Sequence, residues 1–346
     1  MTAPKTPPTE SLEDLFGLLE VSPFASGEVL RAAHKALMMK YHPDNAKGSA
    51  NEKRAQSVDQ AYRILSNDRE RARFAQKLKD RTGITVGPYV IRKLIAEGGF
   101  GRTYIGEHTL TKLPVCVKDC SAIEPEFDDV LVQEAKAMWD LRHFAIPAVR
   151  DVLHLDNGRL ALVMSHIKGK TLEQVVEKAG RLDPEHVAWI TERALNALMY
   201  LHHHGVIHGD VKPQNIIIQP EHTLVLVDYG LAVVKQSSHV ASKGFTPFYA
   251  PPEEVAGQPL LPESDFYSLG MTMIYALSGS HDHVARANVP SHVPPEMCDF
   301  IKRLIVRDVL GRPQWDKDNL FEEIQKLRVD VFGRSRSGMK KLPGVD

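Results

Sequence analysis

The residues most able to do chemistry lie in two short stretches, His208-Gly-Asp-Val-Lys-Pro-Gln-Asn215 and Val227-Asp-Tyr-Gly230. Transfer of a phosphoryl group to a hydroxyl needs a carboxylate to orient the hydroxyl, a cation near the moving phosphoryl, and oxygen ligands for Mg²⁺. Asp210, Lys212, Asn215 and Asp228 supply those types in that order. Upstream, the run from Ile95 to Tyr104 holds Gly98, Gly99 and Gly101, which let backbone amides approach phosphate oxygens without a Cβ in the way. Lys118 ends the β-like run Val115-Cys-Val-Lys118, within reach of the α and β phosphates of ATP, and Glu134 follows in a helical stretch as a partner for that lysine. Each feature alone is ordinary: a glycine-rich turn is equally a plain β-turn, and no Lys-Ser or Lys-Thr follows it to make a Walker loop. The complete ordered set carries the reading.

The elements around these residues divide the chain. At 346 residues, and roughly 100 to 200 residues per domain, two or three domains are expected. Residues 1–10 are rich in Pro and Thr and read as disordered. From 11 to 79 the period is helical: Leu30, Ala33 and Leu37 form one apolar stripe, and Val58, Ala61, Tyr62 and Leu65 another. Residues 80–88, with two glycines and a proline, read as a linker. From 89 to 330 β-rich runs give way to helical periods, including Val187, Ile190, Ala194, Leu198 and Leu201 before a stop at Gly205, so this part reads as α+β. Residues 331–346 form a basic tail read as solvated. With 43 Lys and Arg against 44 Asp and Glu, a formal charge of -1, 43% hydrophobic and 25% charged residues, nothing pulls the chain toward nucleic acid or an anionic membrane. The N-terminus lacks the apolar run of a signal peptide. The most apolar stretch, Phe266 to Leu277, is interrupted by Ser268, Gly270 and Thr272 and is too short to span a bilayer. A soluble, cytoplasmic protein is expected. Cys116, Cys120 and Cys298 read as unbridged thiols. The run His202-His203-His204 and the pair His281 and His283 read as no metal site, since adjacent residues on a helix point apart. Trp139, Trp189 and Trp315 read as packing.

The first 79 residues carry Leu-Phe-Gly-Leu-Leu-Glu-Val near Leu15 to Val21, a helix ending Met-Met-Lys-Tyr-His-Pro-Asp, Ala61 to Ser66, and a basic run ending at Phe74. Together these resemble the J domain of the DnaJ-type co-chaperones. The resemblance implies an all-α domain of four helices with His42, Pro43 and Asp44 in the turn between the second and third. It implies a partner, a 70-kDa heat-shock chaperone of the DnaK type, engaged by that turn and by the basic face of Arg31, Lys35 and Lys40. Ala55 stands where many J domains place a core Phe.

From Tyr89 to about Asp330 the chain resembles the eukaryotic-like protein kinases, close to their bacterial branch. Ala250-Pro-Pro-Glu253, Ser264 to Gly270 and Arg312, a partner for Glu253, agree with this. The resemblance implies a bilobal α+β fold that uses ATP and Mg²⁺ and phosphorylates serine or threonine in protein substrates. It makes Asp210 the base, Lys118 the phosphate anchor paired with Glu134, Lys212 the transfer-site cation, and Asn215 and Asp228 the Mg²⁺ ligands. Ile95, Ala96, Glu97, Gly98, Gly99, Phe100 and Gly101 would form the loop over the phosphates. Thr103, Cys116, Met164 and Ile217 would line the adenine pocket, and Asp265 would support the catalytic loop. Departures are Ala96 for the first loop glycine, Cys116 for Ala, Tyr229 for Phe, and Gly209 for the Arg that pairs with an activation-segment phosphate. The last implies activity without that phosphate. A small-molecule phosphotransferase also carries His-Gly-Asp, and a nucleotide-binding scaffold without phosphotransfer is the non-enzymatic alternative.

Overall fold

A computed structural model describes residues 15, 18–19, 27–41, 49–71, 83–98, 101–119, 127–155, 159–220, 223–230, 232–234, 248–333, 342–343 and 345. The chain forms two compact units, residues 1–127 with 153–161, and residues 128–152 with 162–346.

In the first unit, α1 (Gly27–Lys40) and α2 (Ser49–Leu65) pair through the two stripes expected from sequence. Leu30, Leu37, Val58, Ala61 and Leu65 are buried with Leu18 and Leu19, and Tyr62 and Met38 pack at the margin. Burying a leucine this fully is worth about 1.5–3 kcal/mol relative to exposure, so these few side chains carry the helical pair. A polar strap reinforces it: His34 stacks on Tyr62 at 4.1 Å between ring centroids and meets Asp59 at 3.3 Å, and Asp59 also pairs with Arg63. Arg31 and Lys35 are exposed on α1, and Ala55 is half-buried. The side chain of Lys40, and His42, Pro43 and Asp44, lie outside the described residues.

The same unit contains an antiparallel meander of β1 (Thr85–Val86), β2 (Tyr89–Gly98), β3 (Gly101–His108) and β4 (Pro114–Asp119). Strand β1 lies within the stretch read as a linker. The run Ile84-Thr85-Val86 is β-branched throughout and joins the sheet despite its flanking glycines, with Thr85 opposite Val90 and Val86 opposite Tyr89. Side-chain alternation gives β3 and β4 two distinct faces. Tyr104, Val115 and Val117 are buried on one, while Thr103, Ile105 and Cys116 are half-buried on the other.

The second unit contains α3 (Phe127–Met138), while β5 (Val149–His154) and β6 (Leu160–Ser165) contribute residues to both units. Next come β7 (Lys170–Thr171), α4 (Leu172–Ala179) and α5 (Pro184–His203). Thr171 and Gln174 close a capping box at the start of α4. The long α5 starts with Pro184 at its first position and ends next to Gly205, where the sequence stop signal fell. Three strands pair in the order β10 (Leu224–Leu226), β9 (Ile216–Ile218), β7, and β8 (Val206–Ile207) pairs with β11 (Val233–Val234). Then follow α6 (Pro252–Val255), α7 (Pro262–Ser278), α8 (His281–Ala285), α9 (Pro295–Leu304) and α10 (Leu320–Phe332).

The apolar stretch that the sequence singled out is the body of α7, buried from Ser264 to Leu277 except at half-buried Tyr267. Its polar residues are internal and hydrogen-bonded rather than solvated. Ser264 Oγ donates to Glu253 Oε1 (2.7 Å) and Thr272 Oγ1 to the Val211 carbonyl (3.4 Å). Among the described residues no helix is long and apolar enough to cross a membrane. Two expectations change. Trp139 is 52% exposed rather than packed, because it lies just beyond the last turn of α3. Leu342 in the tail is buried at 4% exposure, so apolar burial holds that residue despite its basic neighbours.

Candidate active site

Short elements position the His208–Asn215 loop. Strand β8 delivers His208, and a 3-10 turn over Pro213–Asn215 carries the chain into β9. Within the loop, Asp210 Oδ2 accepts hydrogen bonds from Lys212 Nζ (2.7 Å) and Asn215 Nδ2 (2.9 Å), and Asn215 Nδ2 also donates to the Asp210 carbonyl (2.9 Å). Asp210 and Asn215 are buried and Lys212 is half-buried. The aspartate is therefore fixed by one cation and one amide, with Oδ1 left for an incoming donor. The Asn215 carbonyl accepts the Val227 N–H (2.9 Å), so the segment bearing Asp228 is tied to the same loop. Asp228 has φ 67°, a left-handed conformation uncommon for a residue with a Cβ.

The loop is anchored from α7. Asp265 accepts the His208 N–H at Oδ2 (2.8 Å) and the Gly209 N–H at Oδ1 (2.8 Å), and Oδ2 also meets His202 Nε2 (2.8 Å). Burial alone would raise the pKa of Asp265, but the bond and charge of His202, the His208 charge and the Gly209 N–H outweigh it and hold the carboxyl below its ordinary value. Gly209 has φ 75°. A side chain there would strain the turn that presents its N–H to Asp265, and glycine adopts it freely. His208 is wholly buried; its Nδ1 accepts the Asp210 N–H (3.2 Å), which leaves the ring proton on Nε2. Burial pushes the His208 pKa down, against the charges of Asp265, Asp210 and Asp228 and a backbone hydrogen bond with Val227.

The three consecutive histidines diverge. His202 joins Asp265 to the Trp315 Nε1–H (2.8 Å), while His203 and His204 each turn back to a backbone carbonyl, of Met199 and Tyr200 (both 2.7 Å). Glu253 and Arg312 form the expected pair, a buried two-point contact at 2.6 and 2.8 Å, and Ser264 adds a third bond to the glutamate. Burial alone would raise Glu253, but the Arg312 guanidinium leads the bonds that hold it below its ordinary value. One contact had no signal in the sequence. Glu134, buried in α3, accepts the Tyr229 N–H at Oε1 (3.2 Å). Burial also drives the Tyr229 phenol well up, and its hydroxyl donates to the Leu226 carbonyl (3.4 Å).

In the first unit, Thr103 lies opposite Lys118 and Ile105 opposite Cys116. Alternation puts Thr103, Cys116 and Lys118 on one face of the meander, with Lys118 6% exposed. Gly98 pairs with Gly101 at the tip of the β2–β3 hairpin, and Ile95 and Ala96 are exposed on β2. Gly99, Phe100 and the side chain of Glu97 lie outside the described residues. In the second unit, Met164 is buried in β6 and Ile217 is half-buried in β9.

Comparison of the sequence with protein families finds two domains. The model of the family described as protein kinase domain matches residues 89–320. The chain belongs to that family. The model of the DnaJ domain matches residues 14–75, ahead of the kinase domain. Among curated relatives, the "Serine/threonine-protein kinase PknA" of Mycobacterium tuberculosis (strain ATCC 25177 / H37Ra) is 30% identical over 260 residues, 68% of this chain and 60% of that protein. The "Serine/threonine-protein kinase PknH" of Mycobacterium bovis is 31% identical over 237 residues, 67% of this chain and 37% of that protein. The "Serine/threonine-protein kinase F" of a Synechocystis strain is 33% identical over 223 residues, 57% and 45% of the two chains. The chain thus spans 60% or less of the length of these relatives. The kinase domain's loop residues Asp210, Lys212 and Asn215 are in mutual contact, and Asp228 follows a residue bonded to the same loop.

Proposed function

We propose that this chain is a serine/threonine protein kinase whose domains run over residues 11–79 (J domain) and 89–330 (kinase). The observation that carries the reading is the Asp210 carboxylate, held by Lys212 and Asn215 with one oxygen left to accept a bond. In this reading Asp210 orients a Ser or Thr hydroxyl and takes its proton, while Lys212 balances the charge around the transferring phosphoryl. In this reading Lys118 anchors the ATP phosphates, and Thr103 and Cys116 in the first unit and Met164 and Ile217 in the second are the residues assigned to the base. Asn215 and Asp228 fit a Mg²⁺ ion: Asn215 spends its amide N–H groups on Asp210 and keeps its oxygen for a ligand, and Asp228 adds a carboxylate. When bound, Mg²⁺ neutralises charge on the β and γ phosphates.

The pairing of a DnaJ domain with a kinase domain supports a second element. His42, Pro43 and Asp44, with Arg31, Lys35 and Lys40, engage a DnaK-type 70-kDa chaperone, bringing it or its clients to the kinase. The test is transfer of labelled γ-phosphate to a generic basic protein, to the purified chaperone and to the chain itself. Asp210→Asn should abolish transfer to all three, and His42→Gln should remove only stimulation of the chaperone's ATPase. Transfer that survives Asp210→Asn would overturn the catalytic assignment, and stimulation that survives His42→Gln would overturn the docking.

A further inference from the structure

One support of the catalytic loop comes from outside the segments assigned a role in transfer. Trp315 sits in a short turn of the second unit, where Asp318 Oδ2 accepts the Gln314 N–H (3.0 Å) and the Gln314 carbonyl accepts the N–H groups of Lys317 (2.9 Å) and Asp318 (2.7 Å). Three residues earlier Arg312 is clamped by Glu253, so the indole is presented by a turn fixed on both sides. Its ring stands edge to face against Phe266 of α7 at 5.0 Å between centroids, and His202 meets the same buried ring at 5.7 Å. Packing alone would place an aromatic ring here. The indole also donates its Nε1–H to His202 Nδ1 at 2.8 Å.

An indole nitrogen can only donate, so His202 Nδ1 accepts and the ring proton lies on Nε2. That nitrogen faces Asp265 Oδ2 at 2.8 Å, between side chains only 2% and 1% exposed. A proton on Nδ1 would set two donors head to head, so His202 acts on Asp265 through its hydrogen bond rather than through a full positive charge. The carboxylate in turn holds the N–H groups of His208 and Gly209, the two residues before Asp210. With the indole N–H removed, nothing in this line fixes the proton on Nε2, and a bare Nε2 would turn its lone pair on the carboxylate. We propose that Trp315 is a positioning residue for phosphoryl transfer: its indole N–H sets which nitrogen of His202 is protonated and so keeps Asp265 aligned on the loop of Asp210. This rests on the protein kinase reading given above. The packing role expected from sequence and the donor role are separable, because phenylalanine keeps an aromatic edge for Phe266 and lacks the N–H.

The test uses the full chain in two measurements. With isotope-labelled histidine, long-range proton–nitrogen NMR spectra show which ring nitrogen carries the proton, and the His202 signals are those lost in His202→Gln. The parent should show the proton on Nε2, and in Trp315→Phe the Nδ1 signal should move toward that of a protonated nitrogen. The parent spectrum reads the arrangement without altering Trp315. The second measurement is the initial rate with ATP, Mg²⁺ and a protein acceptor, alongside a melting curve. In Trp315→Phe kcat should fall about threefold to tenfold, the worth of one hydrogen bond between neutral groups, with KM for ATP within about twofold. His202→Leu should fall at least as far. His202→Gln, whose amide accepts from the indole and donates to Asp265, should recover part of that loss, and Trp315→Phe should cost little more once His202 is Leu. A proton on Nδ1 in the parent, a kcat within about twofold in Trp315→Phe, or an equal loss from Trp315→Phe with and without His202 would overturn the proposal. The absence of Asp210-dependent transfer in the parent would instead overturn the kinase reading.

Discussion

Replacing Asp265 by Asn should slow phosphoryl transfer while leaving the protein folded. The carboxylate takes three bonds of 2.8 Å, from the His208 N–H, the Gly209 N–H and His202. An amide has only one oxygen, so at least one of the two backbone donors of the loop would face an NH₂ group. A hydrogen bond to a charged group is worth about 1.5–3 kcal/mol, and each 1.36 kcal/mol of barrier is a factor of ten. If that loss falls on the position of Asp210, kcat drops about tenfold to a hundredfold, with less change in KM for ATP. The assay is the initial rate on a protein acceptor at saturating ATP, alongside a melting curve. A kcat within about twofold of the parent, in a variant that melts cooperatively, would show that Asp265 does not hold the loop in its working geometry.

Other outcomes follow from the same contacts. Arg312→Ala strips the buried Glu253 of its counter-charge, which costs about 3–5 kcal/mol; at about 2–4 °C per kcal/mol for a domain of this size, Tm should fall by about 6–20 °C. Adding Glu253→Gln should restore part of the loss, and an unchanged Tm in the single variant would refute the estimate. Glu253 and Asp265 both titrate below their ordinary values of 4.5 and 3.8, so their stabilisation is complete above those values and is lost as pH falls through the lower folded ones. Melting curves should show Tm dropping on acidification below about pH 4.5, and a Tm that rises there would contradict the assignment. With Gly209 in place of an arginine, replacing Ser237, Ser238, Ser242 and Thr246, which lie outside the described residues, by Ala should leave turnover nearly intact. Loss of activity that Asp or Glu at one of these positions restores would refute this.

The parts of the site that can be read from sequence are those built within one short loop. Asp210, Lys212 and Asn215 are so close in the chain that a single turn forces them together, and their order alone points to their contact. The helix α5 and the core of the helical pair were equally readable, because apolar periodicity over a dozen or more residues has few alternative explanations. Strand β1 was not, since two paired residues between glycines leave almost no periodic trace. The exposure of Trp139 and the burial of Leu342 depend on what lies across from them, which composition cannot say. The bond from Glu134 to Tyr229 joins residues far apart in sequence through a backbone N–H, a donor every residue but proline has, so no residue type marks it.

That bond has a mechanical meaning. The carboxylate of Glu134 does not merely face the site from α3; it grips the peptide unit immediately after Asp228. A shift of α3 by even a fraction of a turn must either break this grip or drag the Asp228 backbone out of its left-handed pose. The helix and the backbone beside the aspartate are thus coupled through this one bond. Anything that grasps α3 from outside gains leverage over the position of a carboxylate it never touches.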